Sequence, residues 1–137
     1  MKKVQLTWTH LFETNNAGTQ ILSLPINIGR DATNDLILQS RYGYVSRLHA
    51  QLKESKGQLV LRDRNSTNGT FFNERQVRKA KLPHGATFAI GAYEITVKTL
   101  TQCSNQACHK HVDSDLQMCP WCGRFLAEAI TKEGLLA

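Results

Sequence analysis

The sequence predicts an all-β fold, a sandwich or a barrel, over residues 1–100, and a small cysteine-rich appendage over residues 101–137. Short runs of alternating apolar and polar residues are separated by Gly, Asn, Asp and Pro, which is typical of such folds. No window of about a dozen residues in this part keeps a helical period. All four cysteines fall between Cys103 and Cys122, so a boundary is expected near residue 101.

The strand-like runs follow one another along the chain with different clarity. The first, VQLTWT, alternates, and RLHAQLKE places Leu48, Ala50 and Leu52 on one face. The last, YEITVKTL, keeps the clearest period of two. Between them lie QILSLPINIGR, which has a proline-marked bend, and NDLIL, GQLVLRD, GTFF and ATFAIG.

Charge and hydropathy narrow the class of protein. Lys and Arg number 17 against 11 Asp and Glu, a formal net charge of +6. This balance favours an acidic partner without choosing among nucleic acid, phosphorylated protein and anionic membrane. Two lysines near the N-terminus are not followed by a secretory apolar region, and no stretch approaches the roughly 20 apolar residues of a membrane span. We therefore expect a soluble, cytoplasmic protein with no membrane partner.

The cysteines form two close pairs. Four residues separate Cys103 from Cys108, ten more follow, and two separate Cys119 from Cys122. This spacing suits tetrahedral Zn²⁺, because each pair forms a tight turn that directs two sulfurs at one point. Four thiolates complete the coordination shell, so the pattern predicts a structural zinc site. The segment resembles zinc ribbons, specifically the short CPWCG type appended to bacterial signalling and regulatory proteins.

Two disulfides are the alternative arrangement of these four cysteines. A chain without a secretory signal is expected in a reducing compartment, where disulfides are rare, so zinc is favoured. His109 and His111 are expected at the surface, since four thiolates need no further ligand. After the cysteines, AEAITKEGLLA forms either a short C-terminal helix or a frayed end.

Three polar clusters fall at the ends of predicted strands: IGRD at 28–31, VSRLHA at 45–50 and NSTNGTFFN at 65–73. In this order and at these separations, over about residues 4–100, they resemble the forkhead-associated (FHA) domain. The resemblance implies a β-sandwich of about ten to eleven strands. It also implies that loops at one end of the sandwich bind phosphothreonine peptides.

The residue chemistry of these clusters agrees with that implication. A phosphothreonine carries close to two negative charges and three acceptor oxygens, so its receptor needs a fixed cation and neutral donors. Arg30 supplies a planar fork for phosphate oxygens, and Ser46 supplies a hydroxyl. Asn68 can grip the backbone of a ligand, and Thr67 can contact the phosphorylated residue. Arg47 either touches the peptide or is solvated.

Other residues are expected to support this site. By resemblance, His49 braces its loop through internal hydrogen bonds, and Asn73 ties loops together. Gly29 permits a close turn before Arg30, and Gly69 accepts the positive φ of an Asn-Gly turn.

Two departures from the family pattern are visible. The segment with Arg41, Tyr42 and Tyr44 is longer than the family pattern predicts and is expected to bulge near the site. Glu74 replaces the usual glycine after Asn73, so that turn is expected to be rebuilt.

The resulting interpretation is a non-catalytic module that recruits a phosphothreonine-containing protein, such as a Ser/Thr kinase or its substrate. Ser46, His49 and Asp63 could suggest a hydrolase triad, but no nucleophile elbow accompanies them. A nucleic-acid binder, based on the basic run at 75–81, and a phosphate-independent protein scaffold remain alternatives. Nucleic acid is the less favoured partner, because aromatic residues such as Phe71 and Phe88 are expected in the core rather than as stacking platforms.

Overall fold

The computed structural model describes residues 3–102 and 111–113, and it shows a sandwich of two β-sheets. The first sheet has the strand order β2-β1-β11-β10-β7-β8, with β12 paired to β11, and the second has the order β4-β3-β5-β6-β9. The strands are β1 Lys3–His10, β2 Gly18–Ser23, β3 Ile26–Gly29, β4 Leu36–Ile37, β5 Ala50–Ser55, β6 Gln58–Asp63, β7 Thr70–Phe72, β8 Arg75–Val77, β9 Lys79–Leu82, β10 Thr87–Ile90, β11 Tyr93–Gln102 and β12 His111–Asp113.

The predicted all-β sandwich is confirmed. Eleven strands, β1 to β11, lie within residues 3–102, in two sheets, and all pairs of neighbouring strands are antiparallel except β3 with β4. No helix long and apolar enough to cross a membrane occurs among the described residues.

The core lies between the sheets and follows the alternation of the strands. In β11, Tyr93, Ile95 and Val97 are all buried, and Val97 stands opposite Leu6 of β1. The second sheet contributes buried residues such as Leu52 of β5, which stands opposite Leu61 of β6. Each fully buried side chain of this size stabilises the fold by about 1.5–3 kcal/mol.

Two apolar residues that the sequence places in the core lie at the surface. Leu48 is 44% exposed because β5 begins only at Ala50, so Leu48 belongs to the preceding loop. Phe71 is 38% exposed because the alternation of β7 turns Thr70 and Phe72 inward.

The turn between β7 and β8 keeps a two-residue form despite Glu74. Asn73 and Glu74 both have positive φ, 52° and 64°, and Phe72 pairs with Arg75 across the turn. Two consecutive positive φ angles are typical of a type I′ hairpin turn. A left-handed conformation at a residue other than glycine costs about 1 kcal/mol.

Strand β11 continues past residue 100, to Gln102, and pairs there with β12. Leu100 stands opposite Asp113, and Gln102 stands opposite His111, so the backbone after β11 returns antiparallel to it. The four cysteines, His109 and the predicted C-terminal helix lie outside the described residues.

Candidate functional site

Three loops meet at one end of the sandwich: the loop after β3, the loop before β5 and the loop between β6 and β7. Backbone hydrogen bonds join the first two. The amide of Arg30 donates to Ser46 O at 3.0 Å, and the amide of His49 donates to Ile28 O at 2.9 Å. The segment with Ser46 is therefore held against the end of β3.

Gly29 is required by this close approach. A Cβ atom at position 29 would lie 2.2 Å from the carbonyl oxygen of Arg47, which is a backbone atom and cannot rotate away. The amide of Asp31 donates to the same carbonyl at 3.2 Å. The sequence predicts that Gly29 permits a close turn before Arg30. The structure shows that the backbone of Arg47 faces this position and leaves no room for a Cβ atom.

Asn34 fastens the same two segments and was not identified from the sequence. Its side chain is buried, and its Nδ2 donates to Asp31 O at 2.8 Å and to Arg47 O at 2.7 Å. The loop after β3 is thus closed on itself and tied to the loop before β5. The available signal was an asparagine three residues after an aspartate in a predicted turn.

Arg30 presents its guanidinium at the surface of this end. It is exposed, and its Nε donates to Val45 O at 3.2 Å. The ion pairs within the described residues join Glu13 to His10 and Arg41, so Arg30 is not held by an acidic side chain there. Its terminal nitrogens are free to meet an anion.

Ser46 links the loop before β5 to the loop between β6 and β7. Its Oγ accepts a hydrogen bond from the backbone amide of Thr67 at 3.0 Å. Because the hydroxyl acts as acceptor in that bond, its hydrogen can still be donated to a ligand. Thr67 itself is exposed beside it.

Asn68 joins the same rim through the longer segment that precedes Ser46. Its Nδ2 donates to Tyr44 O at 3.0 Å, which leaves its Oδ1 and its second amide hydrogen for a ligand. Tyr44 stacks on Tyr42 at 6.2 Å between ring centroids, and Tyr42 stacks on His10 at 5.5 Å. The inserted tyrosines therefore lie beside the site, packed on the end of β1.

His49 braces two of the loops from inside. It is fully buried, its Nδ1 accepts from the amide of Ser46 at 3.1 Å, and its Nε2 bonds Gly69 O at 2.8 Å. Since Nδ1 accepts, the proton of the neutral ring resides on Nε2. Burial lowers the pKa of His49, and the Gly69 carbonyl and Asp63 oppose this in part.

Asp63, considered in the sequence only as a possible triad member, organises the loop between β6 and β7. Its carboxylate accepts from Ser66 N at 3.1 Å, Ser66 Oγ at 2.5 Å and Thr70 Oγ1 at 2.7 Å. Burial raises the pKa of Asp63, but these hydrogen bonds outweigh it and hold the pKa below its usual value. The hydroxyl of Ser66 is therefore turned toward Asp63.

Gly69 and Asn73 differ in their relation to the site. Gly69 is buried with a φ of 89°, a conformation that favours glycine, and its carbonyl is the acceptor for His49. Asn73 lies in the turn between β7 and β8, outside the three loops, where it supplies a left-handed backbone conformation.

The contacts of His49 do not form a hydrolase triad. Both ring nitrogens are engaged by backbone groups of Ser46 and Gly69, and the Ser46 hydroxyl meets the Thr67 amide instead of the imidazole. His49 is therefore not placed to take a proton from Ser46.

Comparison with known proteins finds solved structures that are similar to this chain. The structure of the Rv0020c FHA domain is 30% identical, with a TM-score of 0.56, and the match covers 71% of this chain and 92% of that one. The FhaA FHA domain, solved in complex with the intracellular domain of Rv3910, is 29% identical with a TM-score of 0.58, covering 69% and 99%. An FHA domain from an analysis of phosphothreonine-dependent interactions is 25% identical with a TM-score of 0.54, covering 69% and 96%.

No match was found among curated proteins. The family model described as the FHA domain matches residues 26–91, the stretch that contains all three loops of the site. Together with the identity to the Rv0020c domain, this match shows that the chain belongs to the FHA family.

Proposed function

We propose that this chain is a non-catalytic module that binds a phosphothreonine-containing segment of another protein in Ser/Thr-kinase signalling. One observation carries the proposal. Arg30, Ser46 and Asn68, from three separate parts of the sequence, are held at one rim by hydrogen bonds between their loops. The similar FHA domain from the phosphothreonine study supports the same ligand class.

Each group at this rim has a distinct part in the proposed complex. The guanidinium of Arg30 meets two oxygens of the phosphate, and the Ser46 hydroxyl donates to a third. Asn68 uses its free donor and acceptor on the peptide backbone beside the phosphorylated residue. Thr67 lies next to Ser46 and contacts the phosphothreonine side chain, whereas Arg47 holds the loop through its carbonyl.

The test uses the full chain and three peptides that differ only in Thr, phosphothreonine or phosphoserine at one position. Calorimetry should detect the phosphothreonine peptide, with affinity that falls as salt rises. Phosphoserine should bind less tightly by roughly 1 kcal/mol, the value of one methyl group. Arg30→Ala should weaken binding about 10- to 100-fold, since it removes charge-assisted hydrogen bonds.

Arg75→Ala is the matched control, because Arg75 lies in β8 and outside the three loops. It should leave affinity within about twofold of the unaltered chain. Equal binding of the phosphorylated and unphosphorylated peptides would discard the proposal. So would an Arg30→Ala variant that binds as well as Arg75→Ala.

We also propose that Cys103, Cys108, Cys119 and Cys122 hold a structural Zn²⁺. Four thiolates are a complete zinc ligand set, and the ion would cross-link a segment with few apolar residues of its own. The antiparallel pairing of β11 with β12 supports this proposal, since the first cysteine pair lies in the sequence between these two paired strands. Cysteines that stay reduced to hold the ion fit a reducing compartment, so we propose a cytoplasmic location.

A further inference from the structure

The outer face of the second sheet carries a group of cations, here called the basic sheet face: Lys53, Arg62, Arg64, Lys79 and Lys81. Lys53 and Lys81 flank Val60 in one row across β5, β6 and β9, and Arg62 stands directly opposite Lys79 in the next row. Leu52 and Leu61, which alternate with them, are buried in the core. The cationic side chains therefore lie on the outer face.

Within the described residues, no ion pair neutralises the cations of this face. The ion pairs within the described residues all involve Glu13, which lies in the loop after β1. Arg62 and Lys79 form a like-charged cross-strand pair, an arrangement that destabilises a sheet. A bound anion between these two side chains would relieve their repulsion.

The face is concave on both sides of Arg62. A cleft of about 700 Å³ is lined by Lys53, Arg62, Arg78 and Lys79, and a second of about 360 Å³ is lined by Arg62 and Arg64. Asp63 also lines both clefts, but its carboxylate oxygens already accept hydrogen bonds from Ser66 and Thr70. Cations outnumber this one acid in both clefts, which favours an anionic occupant.

The clefts adjoin the proposed phosphothreonine site. Asn65 and Ser66 line the larger cleft, and Thr67 and Asn68 continue the same loop into the site. Thr67 follows Arg62 by five positions along the chain, so their Cα atoms are at most about 18 Å apart. An extended peptide segment of about five residues spans that distance.

We propose that the basic sheet face binds an acidic segment that flanks the phosphothreonine in the same partner protein. This inference rests on the proposed function, because the phosphothreonine tethers the segment and raises its effective concentration at the face. The clefts, of about 700 Å³ and 360 Å³, can each hold side chains of a peptide, and Asn65 of the loop that carries Thr67 and Asn68 lines both of them. Both features favour a protein segment over a nucleic-acid duplex.

The test compares two phosphothreonine peptides on the full chain by calorimetry at low ionic strength. One has neutral flanks, and the other carries four glutamates beginning about five residues from the phosphothreonine; versions with the glutamates on either side are included. The acidic peptide should bind about tenfold more tightly in one of the two directions. Arg62→Gln with Lys79→Gln should reduce that advantage to twofold or less while leaving the neutral peptide's affinity unchanged.

The matched control is Lys3→Gln with Lys56→Gln, which removes the same charge from β1 and from the turn at the far end of the β5–β6 hairpin. This variant should keep the tenfold advantage. Binding of the neutral peptide shows that each variant is folded.

The outcomes separate the two proposals. If the neutral phosphopeptide fails to bind the unaltered chain, the proposed function fails and this inference fails with it. If both phosphopeptides bind equally, or if the advantage survives Arg62→Gln with Lys79→Gln, only this inference is overturned. If a DNA duplex without any phosphopeptide binds the unaltered chain but not that variant, and glutamates add nothing, the face is a nucleic-acid surface and this inference is overturned.

Discussion

The Nε2 of His49 donates a 2.8 Å hydrogen bond to the carbonyl of Gly69, and this bond joins the two loops that carry Ser46 and Asn68. His49→Ala should lower the free energy of unfolding by about 2–3 kcal/mol, because it leaves the Gly69 carbonyl and the Ser46 amide without their partner. Urea unfolding measures this, with the exposed neighbour change Leu48→Ala as control. If His49→Ala lowers the free energy of unfolding no more than Leu48→Ala does, the bracing role of His49 is contradicted.

The same histidine predicts a pH dependence. Since burial lowers its pKa below the usual 6.5, the unfolded chain takes up a proton at mildly acidic pH that the folded chain does not. Its stabilising contribution is therefore complete above about pH 6.5 and declines as the pH falls below that value. The difference in unfolding free energy between the unaltered chain and His49→Gln should shrink between about pH 7.5 and pH 5.5. If the difference in unfolding free energy stays constant or grows as the pH falls, this assignment is refuted. The other histidines are present in both proteins, so their effects on unfolding cancel in the difference.

Gly29→Ala tests the close approach of the two loops. The added Cβ would meet the carbonyl oxygen of Arg47 at 2.2 Å, so the loop before β5 must shift. We expect a loss of about 1–3 kcal/mol in stability, typical of overpacking, together with weaker phosphopeptide binding. Gly57→Asn is the control, because its surroundings are open and asparagine tolerates the φ of 76° there. Equal effects of the two changes would argue against the steric explanation.

Asp63→Asn tests the internal organisation of the loop between β6 and β7. An amide cannot replace both carboxylate oxygens as acceptors for Ser66 and Thr70, so stability should fall by about 1–3 kcal/mol. Glu94→Gln, at an exposed position in β11, should change stability by less than about 0.5 kcal/mol. Because the pKa of Asp63 is lowered in the folded chain, its contribution to the free energy of unfolding should also disappear as the pH falls below about 4. Thermal unfolding across that range provides the check.

The zinc proposal has a separate readout. A metal assay on protein purified without chelator should give about one zinc per chain, and Cys103→Ser with Cys119→Ser should abolish it. Phosphopeptide affinity should persist in that variant, since every proposed contact lies between residues 30 and 68. Absence of zinc, with two disulfides found by thiol titration, would replace this proposal with the alternative pairing.

Period-two alternation was sufficient to predict the sandwich, because strands buried on one face must alternate. The alternation failed at Leu48, because the apolar pattern of β5 continues into the preceding loop. In that loop His49, not Leu48, is the buried side chain, and it bonds the Ser46 amide. The alternation also failed at Phe71, because a three-residue strand carries too little pattern to show which face is inward.

The ligand-facing residues of the proposed site stand in short motifs and could be predicted from them. Asp63 and Asn34 could not, because their importance arises from backbone groups that only the folded chain brings within reach. The like-charged pair of Arg62 and Lys79 depends on the register of β6 with β9, and no local pattern determines that register.

Strand β11 lies between β1 and β10 and then continues into its pairing with β12. Amides of a strand flanked on both sides exchange with solvent only when the whole domain opens, unlike those of edge strands and loops. Tyr93 to Thr96, which pair with both β1 and β10, are therefore expected to open most slowly. The strand that leads toward the cysteine-rich segment is thus anchored, at its first residues, for as long as the domain remains folded.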